Sequence, residues 1–355
     1  MRGMYCFSFW RPACYFGWSL CLLACGASQS GAPATQGTTP AAAAVQRPIP
    51  ADPLQLIVGA PTSLVDMRSE RLRDSALFAR TRGLLERATC TAAADVDWLL
   101  ASSQRALVAS RKTDAGAEFL VLLTGTFSDA DAERALALAV ARSPMRAGFN
   151  AAEPKQIGRF GVSVRGDLAV TVLERRLLVV GVANWVLAAV QSIDHPSDSP
   201  SAAGLLRELA AAVHCDERSA CLLAAADSFA ADELERGLSE LGAKKLGRAL
   251  SSAPTALGIS ASDSLQLAFL AQLPSAEAAA SVLEAIKSYF WQAGLLIRLA
   301  GLPDVLGAVQ ARTNDAQLAL DSSVSAADLA EYEQRVLPLL DKAASACEPK
   351  TITTQ

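Results

Sequence analysis

His214, Cys215, Asp216 and Cys221 place four potential zinc donors close together, of the imidazole, thiolate and carboxylate types that a tetrahedral site uses. Cys-x5-Cys is not the spacing of a common zinc finger, and no second histidine lies near. Asp194, His195, Ser197 and Asp198 hold the residue types of a Ser-His-Asp hydrolase. Such a triad needs its nucleophile on a rigid turn beside an oxyanion hole, and the chain has no Gly-x-Ser-x-Gly. Pro196 and Pro200 instead mark this stretch as a linker. The sequence therefore predicts no metal, no other cofactor and no assignable catalytic residue.

Two carboxylate groups are of the kind that glycosidases and metal sites use: Asp95 with Asp97, and Asp129 with Asp131 and Glu133. The second follows Ser128 at a helix start, where acids stabilise the helix dipole. The first precedes Trp98-Leu99-Leu100, as a turn entering a strand would. Arg165-Gly166-Asp167 spells an adhesion tripeptide, but Gly-Asp between alternating apolar runs is first a hairpin turn. The most apolar helical stretch runs from Tyr289 to Leu299. Ile286, Phe290 and Ile297 fall near one face as core, whereas Trp291 and Leu295 extend the apolar surface into a patch suited to a hydrophobic ligand, a lipid or a partner. Walker, dinucleotide, HExxH and EF-hand motifs are all lacking.

The elements carrying these residues read as two copies of one unit. Phe119 to Ala135 (FLVLLTGTFSDADAERA) is an apolar strand, a turn and a helix, and the same grammar returns 147 positions later at Gln266 to Val282 (QLAFLAQLPSAEAAASV). The offset also relates Val162 to Val309. The predicted fold class is α+β, with tandem two-layer sandwiches of mostly antiparallel sheet carrying helices on one face. The copies span residues 54–195 and 201–347, followed by a flexible tail at 348–355. The first contains strands at 54–58, 119–126, 160–165, 168–173 and 177–180, with helices at 69–87, 130–142 and from 184. In the second, strands are expected at 220–225, 256–260, 265–273, 309–311 and 317–320, and helices near 202–213, 230–250, 275–299 and 326–345.

Ahead of this body, Arg2 and Arg11 give a basic start, and Pro12 to Ala24 is an uncharged, mostly apolar run too short to span a bilayer. Leu22-Leu23-Ala24-Cys25 resembles the lipobox of bacterial lipoproteins. That resemblance implies a signal peptide at 1–24, cleavage before Cys25 and acylation of Cys25. Gly26, where retained lipoproteins of many Gram-negative bacteria carry Asp, implies delivery to the outer membrane, facing the periplasm or the surface. Residues 25–53 are rich in Ala, Ser, Thr, Gly and Pro and are expected to form a disordered tether, since such a composition cannot bury enough apolar area to offset its ordering entropy.

Without residues 1–24, 30 basic residues face 36 acidic ones, which argues against a nucleic-acid partner. An exported compartment is oxidising, so the remaining cysteines are expected as disulfides: Cys215 with Cys221, across a short turn, and by elimination Cys90 with Cys347. The resulting reading is a membrane-anchored envelope lipoprotein with a non-catalytic binding or assembly role, its partner an envelope protein or an apolar ligand. Its rivals are a carrier of an apolar ligand or lipid near Trp291, and an envelope hydrolase whose site the sequence does not place.

Overall fold

A computed structural model describes residues 47–74, 97–98, 101–113, 116–142, 151–194, 206, 208, 210–213, 215, 220–226, 249–250, 253–261, 264–299, 308–325 and the positions 327, 328, 330, 331 and 334. Among the described residues twelve strands form one antiparallel sheet: β1 (Ser63–Met67), β2 (Ser103–Thr113), β3 (Gly116–Gly125), β4 (Glu153–Ile157), β5 (Phe160–Arg165), β6 (Leu168–Leu173), β7 (Leu177–Val182), β8 (Ala220–Ala226), β9 (Thr255–Ala261), β10 (Ser264–Gln272), β11 (Gln310–Asn314) and β12 (Gln317–Ser325). Their order across the sheet is β11-β12-β10-β9-β8-β1-β2-β3-β7-β6-β5-β4. The longer helices among the described residues are α1 (Ser69–Asp74), α2 (Asp129–Arg142), α3 (Ala183–Gln191) and α4 (Ala276–Leu299). The fold is α+β, built on one merged sheet.

The seam between the early and late strands is the antiparallel pair β1 and β8, from Ser63 opposite Ala226 to Met67 opposite Leu222. From that seam β1-β2-β3 runs outward on one side and β8-β9-β10 on the other. Beyond these triplets the sides differ. β3 is followed by β7, β6, β5 and β4, but β10 only by β12 and β11. Val162 therefore lies on β5, three strands from β3, whereas Val309 immediately precedes β11, two strands from β10. The expected match between them fails because the β11–β12 hairpin takes the sheet position of β6–β7, and its turn at Asp315-Ala316 comes two residues later than the offset requires.

Helices cover both faces, not one. On one face, Ala135, Leu136 and Ala139 of α2 join Leu123, Leu168, Val170, Leu178 and Val180. Ala279, Val282 and Ile286 of α4 meet Ala271, Leu273 and Leu318 farther along the same face. On the opposite face, Trp185, Val186, Ala189 and Val190 of α3 cluster with Leu107, Leu120, Leu122, Ala169 and Val179. The apolar runs LAVTVL of β6 and LLVVGV of β7 carry the reason, since a strand buried on both faces loses the alternation of a one-sided sheet.

Other boundaries shift for local reasons. Residues 53–56 form a 3-10 turn, not a strand, because the Asp52 carboxylate caps the Leu54 N–H at 3.2 Å and Pro53 suits the first turn position. Asp97 and Trp98 are helical, and strand β2 starts only at Ser103. Of the helix expected at 69–87, residues 75–87 lie outside the described residues, as do most of 230–250 and 326–345.

Gly181 of β7 marks a close approach. A Cβ there would overlap the Phe119 carbonyl oxygen and lie 3.0 Å from Leu120 Cα, both backbone atoms that cannot step aside. Gly181→Ala is expected to destabilise the fold by about 1–3 kcal/mol through overpacking. A lower urea midpoint at an unchanged slope checks this.

Candidate functional site

The most convergent polar arrangement stands near the seam. Asp66 lies on β1 between its cross-strand neighbours Leu107 and Leu223, and Arg105 reaches it from β2. Arg105 Nε donates to Asp66 Oδ1 at 2.8 Å and Nη2 to Oδ2 at 2.7 Å, a two-pronged pairing that fixes the guanidinium plane. Arg105 Nη1 also donates to Asp52 Oδ1 at 3.3 Å. Burial works against the charge of Arg105, but hydrogen bonding and attraction from Asp66, then from Asp52, outweigh it and raise the pKa above the usual arginine value.

These residues line a cavity of about 170 Å³ together with Arg68, Leu54, Leu206 and the cysteines 215 and 221. Cys215 and Cys221 are bridged by a disulfide with a Cα separation of 5.8 Å. The bridge ties the end of the helical residues 210–212 to the start of β8, where the Ser260 hydroxyl donates to the Val213 carbonyl at 2.5 Å and Cys215 N–H to that of Ala210 at 2.7 Å. His214 and Asp216 lie outside the described residues, as do Cys90, Cys347 and Cys25. Among the described residues no group of three or more His, Cys, Asp or Glu is placed to hold a metal.

The second carboxylate group builds a helix start. Ser128 Oγ donates to Asp131 Oδ2 at 2.7 Å, the Ser128 N–H donates to the same oxygen at 2.8 Å, and Trp98 Nε1–H reaches Asp131 Oδ1 at 2.9 Å. Arg134 stacks 5.0 Å from the centre of the Trp98 ring. Desolvation pulls the Asp131 pKa up, but the bonds from Ser128 and Trp98 and the charge of Arg134 outweigh it, so the pKa falls below the ordinary value. A depressed carboxyl pKa contributes stability that is complete above the unfolded value of about 3.9 and is lost as pH falls through the folded value. Thermal melts between neutral pH and about pH 2 should accordingly show a shallower acid limb for Asp131→Asn than for the wild type. Asp129 and Glu133 are exposed.

The other groups are described only in part. Asp194 follows the end of α3, while His195, Ser197, Asp198 and Asp95 lie outside the described residues. Arg165-Gly166-Asp167 closes the β5–β6 hairpin, where Arg165 pairs with Leu168 and Gly166 adopts φ +59°. On α4, Ile286 is buried and Phe290 half-buried, but Trp291 is 69% and Leu295 42% exposed. The cavity near the seam and a second of about 200 Å³, lined by Glu70, Arg73 and residues 101–104, both lie away from α4. Among the described residues no helix is long and apolar enough to cross a membrane.

Sequence reasoning passed over the Arg105 cluster. Its signal was a charge inside an apolar strand, Asp66 in SLVDM, which a half-buried strand accommodates only with a partner.

No family model and no curated protein matches the chain. The solved structures it resembles include crystal forms I, III and IV of TP0453, at 12% identity, with TM-scores of 0.45, 0.46 and 0.44, over 79% of this chain and 95–97% of theirs.

Proposed function

We propose that this chain is a lipid-anchored protein of the bacterial envelope, held at the outer membrane by acylated Cys25, whose body binds an envelope protein without chemistry of its own. The observation that carries this reading is Leu22-Leu23-Ala24-Cys25 at the end of an apolar run behind a basic start. Two acyl chains or more anchor stably where one is marginal. The Cys215–Cys221 bridge supports export, because such bonds persist in oxidising compartments. The binding role is supported by Trp291 and Leu295, one turn apart on α4, since large exposed apolar side chains side by side favour a contact that removes them from water.

The body is proposed to descend from a duplicated α+β unit. The mirrored triplets β1-β2-β3 and β8-β9-β10, each running from its third strand into a long helix, support this, as does the 147-residue offset that sets 116–125 on 263–272.

Metabolic labelling with a palmitate analogue tests the anchor. Signal in the wild-type protein should vanish in Cys25→Ser, and labelling that survives the change sinks the reading.

A further inference from the structure

The cavity near the seam contains two opposite charges with no partner among the described residues. Asp66 gives both its oxygens to Arg105, and Asp52 Oδ1 serves Arg105 and the Leu54 N–H. Asp52 Oδ2 and the guanidinium of Arg68 are left, and neither has a hydrogen bond or ion pair among the described residues; Arg68 bonds only through its backbone N–H, to the Cys221 carbonyl. Arg68 lies two residues beyond Asp66 along the chain, so both address the same face of the sheet. The four charged residues among the described lining sum to zero, and Leu54, Leu206 and Leu223 give the cavity apolar wall.

A lone anion drawn to Arg68 would also face Asp52 and Asp66, and a lone cation would face Arg68 and Arg105. A ligand that carries both charges meets neither penalty. The volume of about 170 Å³ is close to that of a cavity of about 150 Å³ that holds benzene, which restricts the occupant to a small molecule. We propose that this cavity binds a small aliphatic zwitterion of the α-amino-acid class, its carboxylate on Arg68, its ammonium on Asp52 Oδ2 and its side chain against the leucines. This site is separate from the apolar surface of α4 and does not depend on the lipid anchor.

Calorimetric titration of the full-length protein with L-valine tests it, beside isovalerate, which lacks the amine, and isobutylamine, which lacks the carboxylate. L-Valine should bind saturably, and each truncated probe about tenfold or more weaker, because each leaves one charged group of the cavity unmatched. Arg68→Gln should weaken L-valine by a similar factor without moving the melting temperature, since that guanidinium bonds no other described residue. Absence of saturable binding by L-valine, L-alanine and L-leucine would overturn the proposal. Isovalerate binding as tightly as L-valine would convert the site to one for anions and overturn it equally, as would unchanged binding in Arg68→Gln.

Discussion

Trp185→Ala is expected to lower the unfolding free energy by about 4 kcal/mol, as the loss of a large, fully buried aromatic side chain does. Trp185 is fully buried in the first turns of α3, where it joins the cluster that fastens this helix to β3 and β7. Its indole N–H donates to the Val58 carbonyl at 3.0 Å, which ties the segment after the 3-10 turn to the body, and Arg111 stands 4.3 Å above the ring. Truncation opens a cavity, strands the Val58 carbonyl and removes the seat of Arg111 together. Trp185→Phe keeps most of the volume and loses the hydrogen bond, so it should cost only about 1 kcal/mol beyond the lost area. Urea unfolding of the three proteins measures the difference, and a loss below about 1 kcal/mol for Trp185→Ala would contradict its place in the core.

Arg105→Met should cost about 2–3 kcal/mol, because it leaves the Asp66 carboxylate, only 13% exposed, without either of its bonds. The double change Arg105→Met with Asp66→Leu should be more stable than Arg105→Met alone, since a leucine between Leu107 and Leu223 extends the apolar surface around it. Comparison of the double variant with the wild type separates two roles for the pair. If the pair is retained for stability, the double variant stays below the wild type; if Asp66 serves to hold Arg105 in place at the cavity, the double variant reaches or exceeds it.

Local rules made much of the first half legible. The β5, β6 and β7 strands stand between turns with distinct chemistry, at Gly166-Asp167 and at Glu174 to Arg176, where Glu174 and Arg175 adopt positive φ. The start of α2 was legible because Ser128 and Asp131 are three residues apart and cap each other. Strand β2 was not, because SQRALVASRKT carries Arg105, Arg111 and Lys112, and a chain read alone does not reveal that Asp66 and Glu118 receive the two arginines from neighbouring strands. The same distance hid the cavity: Arg105 meets partners 39 and 53 residues away, with no local spacing to announce them. The double-faced burial of β6 and β7 was written in their continuous apolar runs, but a short apolar run fits a one-sided meander as well until helices are seen above and below it.

Whether Cys25 is the acylated first residue of the mature protein is measured most directly by mass spectrometry of the N-terminal peptide from the purified membrane fraction. The expected peptide begins at Cys25 and carries the added mass of at least two acyl chains. A peptide that begins elsewhere, or an unmodified Cys25, would contradict the lipid anchor.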